Sequence, residues 1–363
     1  MGSSGKIPRS TKYILTSRNL HMKYKGYNQK LKIGFPFSLS GGGPSLFMKR
    51  LRASVSRQRI ANVATFINPF TDINIFSNVA RDIYGKPYVF RVDGIYFDKN
   101  ETTGSNYEHN KPIFEGVDNA MGIIFQSSFS YKLISSFHTK IDKPYDIINN
   151  GVDSKIFSPK GSDNRKELGV KDNDLVFVTS TKWRAHKRLK DVINVFIEFE
   201  KNSNRACHLL VLGKDSNIEH IRHPRIHNIG FVHPKDLPIW YRTGSIFLFF
   251  SWLDHCPNSV VEAIACGLPV VCTNQGGTRE LIEMTKSGIV VEADKEFTFE
   301  LVDLYKPPTP DYDKTLEAIN KIVSNYDSYV QNIDRTMIYI DNVARRYVRF
   351  IEKAFWDRFN KTV

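Results

Sequence analysis

The hydrophobic positions along this chain alternate between two periods. Apolar runs of strand length are followed by stretches whose apolar residues recur at helical spacing. Leu31 to Phe35 reads as a strand, Ser40-Gly41-Gly42-Gly43-Pro44 as a turn, and a helix begins near Ser45. Val63 to Ile67, Tyr88 to Val92 and Met121 to Phe125 read as further strands, the last leading into a helix through Leu133. Asp146 to Asn149 closes this half. In the second half Leu175 to Val178 is a strand. Leu189, Val192, Ile193, Phe196 and Ile197 then follow the i, i+3, i+4, i+7, i+8 spacing of one helix face. His208 to Leu212, Ile246 to Phe250, Pro269 to Cys272 and Ile289 to Val291 are strand-sized, with a helix from Ser259 between the middle two. From Asp313 the pattern is helical to the end, with Tyr347, Phe350, Ile351 and Phe355 on one stripe.

Strands alternating with helices predict an α/β protein with parallel sheets covered on both faces. A length of 363 residues suits two domains. Gly151 to Asn164, rich in Gly, Ser, Pro and Asp, is the expected linker. We therefore read a tail over 1–30, a Rossmann-like half over 31–155 and a second over 156–335.

Composition narrows the class. No apolar run approaches the ~18 residues that cross a bilayer, and no apolar segment follows the basic N-terminus, so neither a membrane span nor a signal peptide is expected. Cys207, Cys256, Cys266 and Cys272 are scattered, as expected of free thiols in a reducing cytoplasm. The formal net charge of +13 favours anionic partners: nucleotide phosphates, acidic lipid headgroups or nucleic acid. Residues 1–30 contain seven Lys and Arg and no acid. A second basic stretch holds Lys49, Arg50, Arg52, Arg57 and Arg59. Together these two fit either a solvated face or a peripheral contact with an anionic membrane. His220, His223 and His227 are spaced for metal only on a helix, which Pro224 interrupts, so no metal site is expected. The basic residues lack the aromatic interleaving of an RNA-binding motif, which argues against nucleic acid.

The densest chemistry lies between Ser251 and Val271. A strand enters, a polar loop follows, and a helix starts near Ser259. A helix N-terminus presents unpaired N–H groups and suits a phosphate. Asp254 and Glu262 lie eight positions apart around this turn. Carboxylates accept protons from hydroxyls, so beside a phosphate site they suit polyhydroxy groups. A competing reading makes Ser259 and Glu262 the Ser-x-x-Glu of a helix capping box, with Asp254 an ordinary loop residue.

This stretch resembles the signature of family 4 retaining glycosyltransferases: an acid, seven residues, a glutamate, then Ala-x-Ala-x-Gly-x-Pro-Val. Glu262 and Ala263-Ile264-Ala265-Cys266-Gly267-Leu268-Pro269-Val270 match it. The resemblance implies that Glu262 binds the donor ribose and that Asp254, where the family usually has glutamate, faces the donor sugar. Asn149-Asn150-Gly151-Val152-Asp153, with Phe157 and Pro159, resembles the inter-domain motif. Lys182 and Lys187 fall where the family places an Arg and a Lys on the donor diphosphate. Lysine in the first position loses the bidentate fork but keeps the charge. Gly276-Gly277-Thr278-Arg279-Glu280 resembles a further turn, and Gly230, Phe231 and Val232 the segment that reads the base. Gly42 and Gly43 fall on a glycine loop facing the donor. Asp93-Gly94 stands where many members have His-Gly, which implies that Asp93 contacts the sugar or the acceptor hydroxyl.

The resemblance thus implies a GT-B fold: two Rossmann-like domains around a cleft, and a last helix, 336–363, crossing back to the first domain. It implies a nucleoside diphosphate sugar (UDP-, GDP- or dTDP-linked) as donor, a glycan or lipid-linked acceptor, retention at the anomeric carbon and no bound metal. The expected catalytic residues are Asp93, Asp254, Lys182 and Lys187. The expected donor-binding residues are Gly42, Gly43, Gly230, Phe231, Val232, Asn258, Ser259, Val260 and Glu262. A non-catalytic glycan-binding relative and a sugar-nucleotide epimerase of the same architecture are the competing readings.

Overall fold

The computed structural model describes residues 30–36, 42–64, 69–77, 79–80, 85–100, 106–138, 141–216, 218, 221–293 and 296–360. Most of the basic tail, together with Gly41 and His220, lies outside them.

The first domain is a six-stranded parallel sheet in the order β2-β1-β3-β4-β5-β6. Its strands are β1 (Lys32–Gly34), β2 (Asn62–Ala64), β3 (Ile73–Ser77), β4 (Tyr88–Val92), β5 (Gly122–Phe125) and β6 (Tyr145–Ile147). Its helices are α1 (Gly43–Gln58), α2 (Asn106–Asn119) and α3 (Ser128–Phe137). The sequence pattern left β3 unread. Asn74 interrupts its apolar run, yet Asn74 is fully buried and accepts a hydrogen bond from Thr71 Oγ1 at 3.0 Å.

The second sheet is also parallel, in the order β12-β11-β10-β7-β8-β9. It comprises β7 (Leu175–Ser180), β8 (Cys207–Leu212), β9 (Ile226–Gly230), β10 (Ile246–Phe249), β11 (Val270–Thr273) and β12 (Gly288–Val291). Its helices are α4 (Leu189–Asn202), α5 (Leu237–Thr243), α6 (Asn258–Ala265), α7 (Thr278–Thr285), α8 (Tyr312–Ser324) and α9 (Tyr326–Asn332). Central strands buried on both faces explain the near-continuous apolar runs, such as the fully buried Ile246-Phe247-Leu248.

The final helix α10 (Ile340–Asn360) returns to the first domain. Its buried stripe, Val343, Ala344, Tyr347, Val348, Ile351 and Phe355, packs with Phe47, Leu51 and Val55 of α1. The outward and return crossings run side by side: Val152 donates to the Ile338 carbonyl at 2.9 Å, and Ile340 donates to the Val152 carbonyl at 2.8 Å. Gly151 permits this approach, since a Cβ there would sit 2.9 Å from Val343 Cγ2 and 3.1 Å from the Ile338 oxygen.

Topology fixes where a ligand fits. In the second sheet the strand order reverses between β7 and β10, and crevices at such reversals open beyond the carboxyl ends of the strands. The segments leaving those two ends are 181–188 and 250–258, which hold the densest chemistry of the sequence. Among the described residues no helix is long and apolar enough to cross a membrane.

Candidate active site

The loop after β10 positions two of the expected groups. Lys187, in a single 3-10 turn (Ala185–Lys187), directs its ammonium onto the Asp254 carboxylate and donates to Ser251 Oγ at 3.0 Å. Both side chains are largely buried, at 14% and 19% exposure. Burial would raise the Asp254 pKa, but Lys187 more than offsets it and holds the carboxyl below its ordinary value. An ammonium has three donors. Two of Lys187's meet protein, which leaves one for an incoming anion.

The helix that follows is α6. Its N-cap is Pro257, without a side-chain cap. Ser259 therefore lies inside the first turn, and the capping-box reading of Ser259 and Glu262 fails. The helix opens one residue earlier than the sequence pattern implies. Its first-turn amides, at Asn258, Ser259 and Val260, have no acceptor within the helix by geometry. Asn258 reaches across to the first domain, where its Nδ2 donates to the Gly43 carbonyl at 3.2 Å. Gly42, the N-cap of α1, adopts φ +122°, a conformation open to glycine, and Pro44 lies in the first turn. The glycine turn and the α6 N-terminus thus meet across the two domains.

Glu262 sits one turn further along the same face. Its side chain is 4% exposed, and Oε1 accepts from Arg50 Nη2 at 2.6 Å. Oε2 accepts from the buried Tyr241 hydroxyl at 3.3 Å. Burial pushes the Glu262 pKa up, and Arg50 and Tyr241 oppose that. Arg50 had been assigned to a basic surface face, and the structure corrects this. Arg50 is committed to Glu262, and Arg57 pairs with Asp153 and Asp341. The helical period held a clue: Arg50 lies three residues after Phe47 and four before Ser54, both fully buried.

Asp93 is held among donors of its own domain. Its side chain is 5% exposed and is paired with the fully buried Arg91. It also accepts from Ser77 Oγ and from Gln126 Nε2 at 3.1 Å. The carboxylate thereby offsets the charge of Arg91, which is fully buried. Arg91 Nη2 also donates to Asn150 Oδ1 at 2.7 Å, and Asn150 Nδ2 donates to the Cys256 carbonyl at 2.8 Å and to Asn258 Oδ1 at 3.0 Å. The inter-domain motif therefore braces the turn before α6.

His255, between Asp254 and Cys256 in the same loop, lies where the two domains meet. Its Nδ1 lies 3.0 Å from Ser130 Oγ, and its Nε2 lies 2.7 Å from where a Cβ on Gly94 would stand. Burial holds it at about 4, so the ring is neutral at neutral pH. Lys182 is not brought to the acids: its side chain is 63% exposed and its Nζ lies 3.9 Å from Asp215. Phe231, after β9, is 60% exposed with Lys214 Nζ 4.5 Å above its ring. Gly230 adopts φ +69° and accepts from the Gly213 amide at 2.7 Å, and Val232 packs at the edge of the core that contains Val260. All four cysteines are buried free thiols. His223 contacts Glu200 at 3.0 Å and His227 contacts His208 at 3.1 Å. A cavity of about 900 Å³ lies elsewhere, between Arg279, Glu292, Lys321 and Tyr329. It contains none of the expected groups, and the convergent chemistry is in the inter-domain cleft.

Residues 172–306 match the family model described as glycosyl transferases group 1. The chain is similar to spore coat protein SA of Bacillus subtilis, 27% identical over 52% of this chain and 56% of the relative. It is also similar to alpha-monoglucosyldiacylglycerol synthase of Acholeplasma laidlawii, 22% identical over 47% and 46%. The chain thus spans about half the length of the curated relatives it matches. Among solved structures, Anabaena HepE in complex with UDP and glucose superposes with a TM-score of 0.63 at 15% identity, covering 89% of this chain and all of that one. WaaG, a glycosyltransferase involved in lipopolysaccharide biosynthesis, superposes with a TM-score of 0.59 at 12% identity, covering 89% and 98%. At such identities these superpositions speak to the fold alone. The two six-stranded parallel sheets give this chain the GT-B fold, and its second domain is similar to glycosyl transferases group 1 over residues 172–306.

Proposed function

We propose that the protein transfers a sugar from a nucleoside diphosphate sugar to a glycan or glycolipid acceptor, with retention at the anomeric carbon. The observation that carries this reading is the arrangement at the β7–β10 reversal. The N-terminus of α6 lies between the Lys187–Asp254 pair and Glu262, and faces the glycine turn of the first domain. The diphosphate would lie on the first-turn amides of α6, beside the remaining donor of Lys187. Bond breaking places negative charge on the leaving phosphate, where prearranged donors stabilise it most. Glu262 would accept the ribose hydroxyls and Asp254 those of the sugar, holding the donor in one orientation. Lys182, on a mobile-length side chain at the cleft mouth, would add charge as the donor enters. The exposed Phe231 and the Gly230 turn would flank the base.

The relatives support the donor and acceptor classes. HepE is seen with UDP-glucose, and one further relative is named a galactosyltransferase that uses UDP-Gal and a diphosphoundecaprenol-linked acceptor. A glycolipid acceptor would fit residence at the cytoplasmic face of a membrane. The test is a panel of UDP-, GDP- and dTDP-sugars assayed for transfer or slow hydrolysis with the wild type and Glu262→Ala. The proposal expects turnover of one nucleotide class, lost in the variant. Turnover of none by the wild type, with binding intact, would favour the non-catalytic reading.

A further inference from the structure

We infer that Arg50, which pairs with Glu262 in this structure, is a diphosphate-binding residue of the donor site, handed to the phosphate when the donor enters. This rests on the proposed function and deepens it. Asn258 and Glu262 are four residues apart on α6, so their side chains lie on one face about 5–6 Å apart. That face looks at the first domain, with Asn258 on Gly43 and Glu262 on Arg50. The guanidinium is therefore parked one helical turn from the amides on which the diphosphate would lie.

Glu262 cannot take the ribose as it stands. Its two oxygens accept from Arg50 and Tyr241, and its side chain is 4% exposed. A carboxylate has further lone pairs, but a sugar reaches them only if something withdraws. Tyr241 is fully buried in the core of the second domain and anchored there. Arg50 is carried by α1 of the other domain, so a shift between the domains can withdraw it, at the expense of its contact with the Phe157 ring at 5.1 Å.

Once displaced, the guanidinium needs an anion. Its Nη1 is already buried with no hydrogen-bond partner among the described residues. A charged donor left in that state is costly, and a phosphate oxygen one turn away would satisfy it in the bidentate manner that suits arginine. The exchange leaves each charged group hydrogen-bonded: Glu262 trades a guanidinium for two hydroxyls, and Arg50 trades a carboxylate for a phosphate. It also adds a guanidinium to a site where Lys187 shares its charge with Asp254 and the Lys182 side chain is exposed.

The test is titration calorimetry of the wild type, Arg50→Ala and Arg50→Lys with UDP, GDP and dTDP, and with the corresponding nucleoside of whichever binds. Unchanged circular dichroism of Arg50→Lys controls for folding, since that variant keeps the charge. We expect Arg50→Ala to weaken the diphosphate about tenfold or more, the effect of one lost charge-assisted hydrogen bond. The nucleoside should bind unchanged or tighter, its competitor for Glu262 being gone, with Arg50→Lys in between for the diphosphate. Equal effects on diphosphate and nucleoside, in either direction, would overturn the inference and make Arg50 a plug or a strut. Absence of binding of all three diphosphates to the wild type would instead remove the donor-site reading itself.

Discussion

Glu280 of α7 caps a helix in the other domain: its Oε2 accepts the Ser128 amide at 2.7 Å and its Oε1 the Phe129 amide at 3.0 Å, at the start of α3. One carboxylate thus satisfies two first-turn donors and complements the positive end of α3. Because the two helices belong to different domains, the cap is also a clasp across the cleft. Glu280→Ala should cost about 1–2 kcal/mol in chemical denaturation, the range of a lost cap. An unchanged midpoint would show that the contact contributes nothing.

Lys182 and Lys187 fall on the first and second cationic positions of the resemblance, but only Lys187 is largely buried against an acid of the site loop, while Lys182 is exposed. Lys187→Ala should lower kcat by about 10² or more, the scale for losing a preorganised donor to developing charge. Lys182→Ala, which removes an exposed side chain, should change it by less than about tenfold, as expected of screened surface charge. Steady-state kinetics with the preferred donor decides between them, and equal losses would contradict the geometry.

The Arg50–Glu262 pair spans the two domains with both side chains almost out of solvent. Removing one partner strands the other, so either Arg50→Ala or Glu262→Ala should destabilise the donor-free protein by about 3 kcal/mol. The double variant should lose much less than the sum. Urea unfolding of the four proteins measures this coupling, and strict additivity would mean the charges do not interact.

His255 and His186 are both held at about 4, chiefly by burial. The unfolded chain takes up these protons as pH falls through about 6.5, while the folded chain does so only near their depressed values. Between these limits the unfolded state binds more protons, so stability declines as pH drops. The melting temperature of the wild type should fall across this window, and that of His255→Gln should fall less steeply. Parallel curves would show that His255 is not protonated on unfolding in this range.

Much of the fold was legible because buried parallel strands are apolar throughout. Tyr88 to Val92 and the strands leading to Ser251 and Thr273 stand out against their helices. Ile73–Ser77 did not, because Asn74 breaks its run and becomes acceptable only through a hydrogen bond that folding supplies. Nor did α2, whose pattern is broken by Pro112. In the site, Lys187, Asp254, Asn258 and Glu262 follow from local order in the chain, since a strand, a turn and a helix carry them. Arg50, Tyr241 and His255 do not. Each acts through a contact between segments more than 20 residues apart, and Arg50 is 212 residues from Glu262. The position of Asp93 at a strand end was visible, but its pairing was not, because the buried Arg91 two residues earlier reads in sequence like any strand cation.

Amide hydrogen exchange with and without the bound nucleoside diphosphate tests the central claim most directly, because it reports where the ligand sits independently of catalysis. The account predicts slowed exchange at residues 251–262 and 182–188, with the start of α1 protected as the domains close on the donor. Protection absent from 251–262, or confined to the groove between Arg279 and Tyr329, would contradict it.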